Sequence, residues 1–225
     1  MEQKKSPGRL KTLFSVTFIA IFAIGIGLWI QMHNAPAQAL STPELKGGTL
    51  LTTEFAPDPF DLQATQIGHL SNAKLRGKDK WSLLFFGFTN CKTICPTTLS
   101  ELKQTSQLLA NMKHVIVPQV YFVSVDPERD TLDIMQKYLG HFDKNFIGAT
   151  STPDAIKAMT KNFGIAYAKV TSNKKADYEI NHSGVVILID PKGHWLALLQ
   201  PPLAASTMAK DIALAQTYYK AKYRN

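Results

Sequence analysis

The chain has 225 residues, 45 % of them hydrophobic and 19 % charged, ordinary figures for a protein with a packed core. That length bounds it to one or two domains. Its net charge of +8 is diffuse: Lys4, Lys5, Arg9 and Lys11 against Glu2 leave +3 in the first 40 residues, and the other +5 forms no basic run on a recognisable helix face, which argues against nucleic-acid binding.

In chain order, residues 1–11 are basic and read as a cytoplasmic N-terminus. Thr12–Ile30 is a run of 19 residues without a charge. As a helix it would rise about 28 Å, enough to cross a hydrocarbon core. Basic residues precede the run, so the positive-inside rule places the bulk of the chain outside the cytoplasm. Ala35-Pro-Ala37 and Ala37-Gln-Ala39 look like signal-peptide cleavage sites, but signal cores usually run about 7–15 residues. A retained anchor is therefore the expectation. With no Arg- and Ser-rich transit peptide ahead of it, the expected location is a bacterial inner membrane, single-pass, with the globular part on the periplasmic side. Disulfides can persist there.

Residues 31–47 read as a tether, and residues 48–225 as one globular domain. Thr49–Thr53 is strand-like, and Ala73–Lys80 reads as a charged loop. Trp81-Ser-Leu-Leu-Phe-Phe-Gly87 is a buried strand, followed by a polar turn and the start of a helix carrying Leu99, Leu102, Leu109 and Met112. Val120–Val125 is a second buried strand, and the helix after it shows Leu132, Met135, Leu139 and Phe142 at spacings of 3, 4 and 3. Phe146-Ile147 is a short strand. Thr152 then caps a helix that Pro153 starts. Ile165–Val170 is a further strand, and Val185–Ile189 pairs through the Asp190-Pro-Lys-Gly193 turn with His194–Leu199. A last helix from about Ser206 carries Met208, Ile212, Ala215 and Tyr219 on one face. Such an order builds an α/β domain with a central mixed sheet and helices on both faces. With a cysteine pair after the first buried strand, it is the thioredoxin arrangement.

The chain has two cysteines, Cys91 and Cys95, both in the turn after the first buried strand. If the first helical turn includes them, their spacing sets both sulfurs on one face, and a helix N-terminus favours a thiolate. Lys92 between them acts in the same direction. A purely structural disulfide would close too short a loop to stabilise much. Redox and soft-metal roles both remain open. Two thiolates suit Cu(I), and a third, imidazole ligand extends the set to Cu(II). His182, just before the Val185–Ile189 strand, is the candidate. His33, His69, His114, His141 and His194 read as structural or solvated residues. Asp126 and Asp130 follow the second buried strand, at the sheet edge where ligands collect in open α/β folds. Asp130 or Thr131 can cap the next helix, and Asp126 can orient a ligand histidine or meet a partner.

Three blocks carry a family resemblance: Phe86-Gly-Phe-Thr-Asn-Cys91-x-x-x-Cys95-Pro-Thr-Thr-Leu, Val123-Ser-Val-Asp126-Pro-Glu-Arg-Asp130-Thr131, and Asn181-His182-Ser183 ahead of Val185–Gly193. Together they resemble the Sco/SenC family of membrane-anchored, thioredoxin-like copper chaperones for cytochrome c oxidase assembly. The resemblance runs from about residue 48 to the C-terminus. It implies copper, as Cu(I), Cu(II) or both, held by Cys91, Cys95 and His182. It also implies delivery to the dinuclear CuA centre on the copper-bearing subunit of the oxidase. An extracytoplasmic thiol reductant or copper donor is the further partner. Several relatives carry Pro where Lys92 stands, so redox tuning here can differ. The competing function is a thiol–disulfide oxidoreductase that uses Cys91 and Cys95 alone and keeps the oxidase cysteines reduced; it has no need of His182.

Overall fold

The structure, a computed structural model, describes residues 21–30, 41–171 and 178–223. Its elements are α1 (residues 21–30), β1 (Gly48–Phe55), β2 (Asp61–Ala64), β3 (Gly68–Ser71), α2 (Asn72–Leu75), β4 (Ser82–Gly87), α3 (Ile94–Ala110), β5 (Gln119–Ser124), α4 (Leu132–Gly140), β6 (Ile147–Thr150), α5 (Pro153–Asn162), β7 (Tyr167–Thr171), β8 (Tyr178–His182), β9 (Val186–Ile189), β10 (Trp195–Leu199) and α6 (Ala205–Lys222). Thr42–Asn225 is one compact unit and Met1–Ser41 a separate one. Of the expected span Thr12–Ile30, only residues 21–30 are described, as helix. Among the described residues no helix is long and apolar enough to cross a membrane. Most of the expected tether, with His33, lies outside the described residues.

Apolar runs fill the middle of the sheet. All six residues of β4 are buried, as are all four of β9, the signature of strands covered on both faces. The eight strands run in the order β1-β10-β9-β4-β5-β6-β2-β3. β4, β5 and β6 are mutually parallel, while β9 is antiparallel to β4. β10 and β1 continue outward antiparallel on one side, β2 and β3 on the other.

Alternation along β4 sends its side chains to two layers. Gly87 and Phe85 face α3 and α4: a Cβ on Gly87 would touch Cys95 Sγ and the Phe122 ring, Phe85 packs on Phe122, and Phe122 packs on Tyr138. α6 lies against α3. Phe86 faces the opposite way, onto Phe163 at the end of α5, which stacks on Trp195. Helices thus cover both faces, and the thioredoxin-like arrangement expected from the sequence is present.

Several boundaries differ from the sequence reading. β2 and β3 form a hairpin in a stretch read as irregular, with Gln66 and Gly68 in the left-handed conformation at its turn. The charged loop Ala73–Lys80 begins inside the short helix α2. β6 runs to Thr150 rather than ending at Ile147. His182 ends a strand, β8, which among the described residues pairs with β7 in a separate two-stranded ribbon. Thr152 does cap α5, accepting the Ala155 N–H at 3.3 Å, with Pro153 at its first position.

The entry into the domain is stitched down by Asp211 of α6. Its buried carboxylate accepts the Lys46 N–H at 3.0 Å and the Gly47 N–H at 2.7 Å, and Gly47 returns its carbonyl to the Gln200 N–H at 2.8 Å. Asp211→Ala leaves two amides without that acceptor. The expected loss is about 2 kcal/mol, read as a lower urea midpoint with an unchanged slope.

Candidate metal centre

β4 ends at Gly87 and delivers the chain into a tight turn, where the Cys91 N–H donates to the Phe88 carbonyl at 3.3 Å. The helix begins later than the spacing suggested. Thr93 is the N-cap of α3, so Cys91 sits in the turn and only Cys95 is helical. The side chain of Thr93 makes no capping bond. The Cys91 sulfur takes that place, accepting the Cys95 N–H at 3.3 Å, so it supplies an acceptor to a helix end that otherwise has too few.

The two cysteines differ sharply in access. Cys95 is 0 % exposed, whereas Cys91 is half-buried. Cys95 lies in a hollow that exists because residue 87 is glycine: a Cβ there would stand 2.7 Å from Cys95 Sγ and 2.7 Å from Phe122 Cε2. The hydrogen bond with Cys91 and burial together push the Cys95 pKa well up, against the pull of the Phe88 backbone. The expectation that the helix terminus makes a thiolate of this residue is therefore corrected: the Cys91 hydrogen bond, and after it desolvation, hold the proton on Cys95. Both residues are thiols.

Asp130 fixes the turn from behind. It is 1 % exposed and accepts the Thr89 N–H at 2.9 Å, the Thr89 hydroxyl at 2.5 Å and the Ser124 hydroxyl at 2.5 Å. Burial raises its pKa above the usual 3.8, opposed by those hydrogen bonds. Capping of α4 falls to its neighbour, since Thr131 accepts the Ile134 N–H at 3.3 Å.

Asp126, also buried, has a separate task. It pairs with Arg129 and accepts the Tyr178 hydroxyl at 2.6 Å. The Arg129 guanidinium lies 3.8 Å from the Tyr178 ring centroid and donates to the Tyr178 carbonyl at 3.3 Å. Lys169 of β7 reaches Glu128 at 2.9 Å. These contacts clamp the β7–β8 ribbon onto the loop after β5. At its other end, the link from β8 to β9 passes the cysteine turn. A Cβ on Gly184 would lie 3.5 Å from Ile94 Cγ2 and 3.0 Å from Pro201 Cγ.

Ile94, between the cysteines, is 48 % exposed. His182 is thus carried by a strand held at both ends beside the cysteines, although its side chain lies outside the described residues. Among the described residues no group of three or more His, Cys, Asp or Glu side chains stands ready to hold a metal. The other described histidines lie elsewhere in the fold: His69 pairs with Asp61, His114 offers its carbonyl to Lys220, His141 ends α4, and His194 follows the β9–β10 turn, at the opposite end of β9.

A buried sulfur and a half-buried one four residues apart are a soft donor pair that fits copper in its lower oxidation state. Tyr138, Arg129 and Tyr178 were not singled out by the sequence reading. Tyr138 falls among the apolar residues of an amphipathic helix, and the partners of the other two are 49 to 52 residues apart.

A family model described as SCO1/SenC matches residues 50–216. An SCO2-like protein of Rickettsia prowazekii is 39 % identical over 140 residues, which is 61 % of this chain and 66 % of that protein. The Arabidopsis thaliana protein SCO1 homolog 1, mitochondrial, is 31 % identical over 182 residues, 79 % of this chain and 53 % of its own length. The chain thus spans between half and two thirds of these curated relatives. Among solved structures, Arabidopsis thaliana ScoI with copper bound gives a TM-score of 0.66 at 29 % identity, covering 72 % of this chain and 99 % of that one.

Two outcomes follow from the geometry. Gly87→Ala fills the hollow of Cys95; it is expected to cost about 1–3 kcal/mol and to expose the Cys95 thiol, seen as faster labelling by a thiol reagent. Asp130 has a raised folded pKa, so its contribution to stability is complete below pH 3.8 and is lost as the pH rises through the folded value. Asp130→Asn cannot ionise. Across that rise the stability of wild type is expected to fall relative to the variant, measured by urea unfolding at each pH.

Proposed function

The chain belongs to the SCO1/SenC family, and we propose that it is a copper metallochaperone using Cys91, Cys95 and His182 for delivery to the CuA centre of cytochrome c oxidase during assembly. The observation that carries this reading is the approach of the β8–β9 link to the cysteine turn: a Cβ on Gly184, two residues beyond His182, would stand 3.5 Å from Cγ2 of Ile94, which lies between the cysteines. A protein serving only dithiol–disulfide exchange has no need for a histidine-bearing strand clamped at that position. Copper bound to the Arabidopsis relative supports the same assignment of cargo.

Each sulfur exchanges its proton for metal on binding, so uptake needs the reduced dithiol and an extracytoplasmic reductant to maintain it. Two thiolates hold Cu(I), and the imidazole of His182 extends the set to Cu(II). Cys91 is the sulfur an incoming partner reaches, because Cys95 is sealed under Phe122 and Gly87. Handover then begins by exchange at Cys91. Asp126 acts at one remove, holding the ribbon that bears His182. The Thr12–Ile30 segment is proposed as an inner-membrane anchor that keeps the domain on the periplasmic side, where the copper-bearing oxidase subunit presents its site.

The same thiols, hydrogen-bonded to each other, are placed to form a disulfide by losing two electrons and two protons to an oxidant. This keeps a thiol–disulfide reductase as the competing reading. The two separate on His182. The full chain, reduced and loaded with copper, is expected to hold one metal per chain with thiolate-to-Cu(II) absorption. Those bands should vanish in Cys91→Ser/Cys95→Ser. They should shift in His182→Ala, with affinity at least about tenfold weaker, the loss that even an outer-shell change brings. Copper binding indifferent to His182→Ala, alongside ready disulfide cycling, would leave the reductase.

A further inference from the structure

Tyr138 is a residue for which neither the fold nor the thiols alone give a use. It lies on the sheet-facing side of α4, its ring centroid 6.1 Å from Phe122 of β5 and 5.4 Å from Phe142. The ring of Phe122 and Cys95 Sγ share the gap beside Gly87, so Tyr138 reaches the back of the cysteine hollow. Its hydroxyl is buried and has no hydrogen-bond partner among the described residues. A phenol O–H almost always finds a partner when buried, because leaving it unpaired is unfavourable.

The surroundings narrow what that partner can be. Burial raises the Tyr138 pKa, and Cys95, Cys91 and Asp130 add to the shift in that order. A phenol hydroxyl is a donor near neutral pH. Asp130 already accepts three hydrogen bonds, from Thr89 and Ser124. The Cys95 sulfur, which shares the Gly87 gap with the Phe122 ring that Tyr138 packs on, is the acceptor belonging to the site itself. A neutral thiol accepts weakly, whereas a thiolate is a strong, charge-assisted acceptor. An orphan donor beside two thiols is thus matched to their deprotonated, metal-holding form.

We propose that Tyr138 donates a hydrogen bond to the Cys95 sulfur when the site holds copper, and by drawing electron density from that sulfur favours Cu(I) over Cu(II). The inference rests on the copper-binding reading above and adds to it a residue that sets oxidation-state preference. Hydrogen bonding around a cysteine sulfur is a known lever on copper potentials. Tyr138 is a tuning residue here and not a ligand.

The test is Tyr138→Phe in the full chain, compared with wild type in three measurements. Copper-free thermal stability should be unchanged or higher, since the variant removes a buried group without a partner. Competition with a Cu(I) chelator should show affinity about tenfold weaker, the worth of one hydrogen bond to a charged acceptor. The thiolate-to-Cu(II) band should move to lower energy as the sulfur becomes the better electron donor. A copper-free form that is less stable, with an unmoved band and unchanged Cu(I) affinity, would make the hydroxyl purely structural and overturn the proposal. A wild type without any thiolate–copper band removes the copper reading, and this inference falls with it. A wild-type band that Tyr138→Phe leaves in place, at unchanged Cu(I) affinity, overturns this inference alone.

Discussion

One buried carboxylate holds together everything that matters at the top of the sheet. Asp130 accepts from Thr89 on the way into the cysteine turn and from Ser124 at the end of β5, so two neighbouring parallel strands release their chains in a fixed relation. Burying such a group is unfavourable unless its oxygens are satisfied, and the donor set is full enough to make the arrangement tolerable. The loops here have no ladder of their own to define them. Without that carboxylate the turn carrying Cys91 would lose its tie to the end of β5.

A second carboxylate, four residues earlier, does the complementary task with different partners. Asp126, Arg129 and Tyr178 join the loop after β5 to a ribbon that is no part of the main sheet. The site is therefore composite. Cys95 belongs to the most buried part of the domain, whereas the strand that carries His182 belongs to a two-stranded appendage held by polar and cation–π contacts. Such contacts are weaker and more easily reversed than core packing. The division gives the proposed metal-holding arrangement one rigid side and one adjustable side.

The parts legible in the sequence were those whose cause is local. Apolar runs announced β4, β5 and β9, and the Thr152-Pro153 pair announced α5. The cysteines and His182 were visible as residue types. What escaped has causes that lie far along the chain. The β2–β3 hairpin is built on four-residue strands whose turn needs Gln66 at φ 64, a conformation no propensity foretells for glutamine. Asp130 reads locally as a helix cap; its true donors include Thr89, 41 residues away. The raised pKa of Cys95 follows from its hydrogen bond with Cys91 and then from burial, whereas position at a helix end, all that the sequence shows, pointed to the opposite sign.

The missing side chain at residue 87 also limits how this site can change its chemistry. The space beside Phe122 admits one sulfur at the end of a short stem and little more. Cys95 is 0 % exposed, so a bulkier donor at position 95 would have to displace packed neighbours. Divergence in metal preference among chains built this way must then come through the other side, by remodelling the appended ribbon and the residue it offers. The hollow is a fixed socket, and the ribbon is the interchangeable half of the fitting.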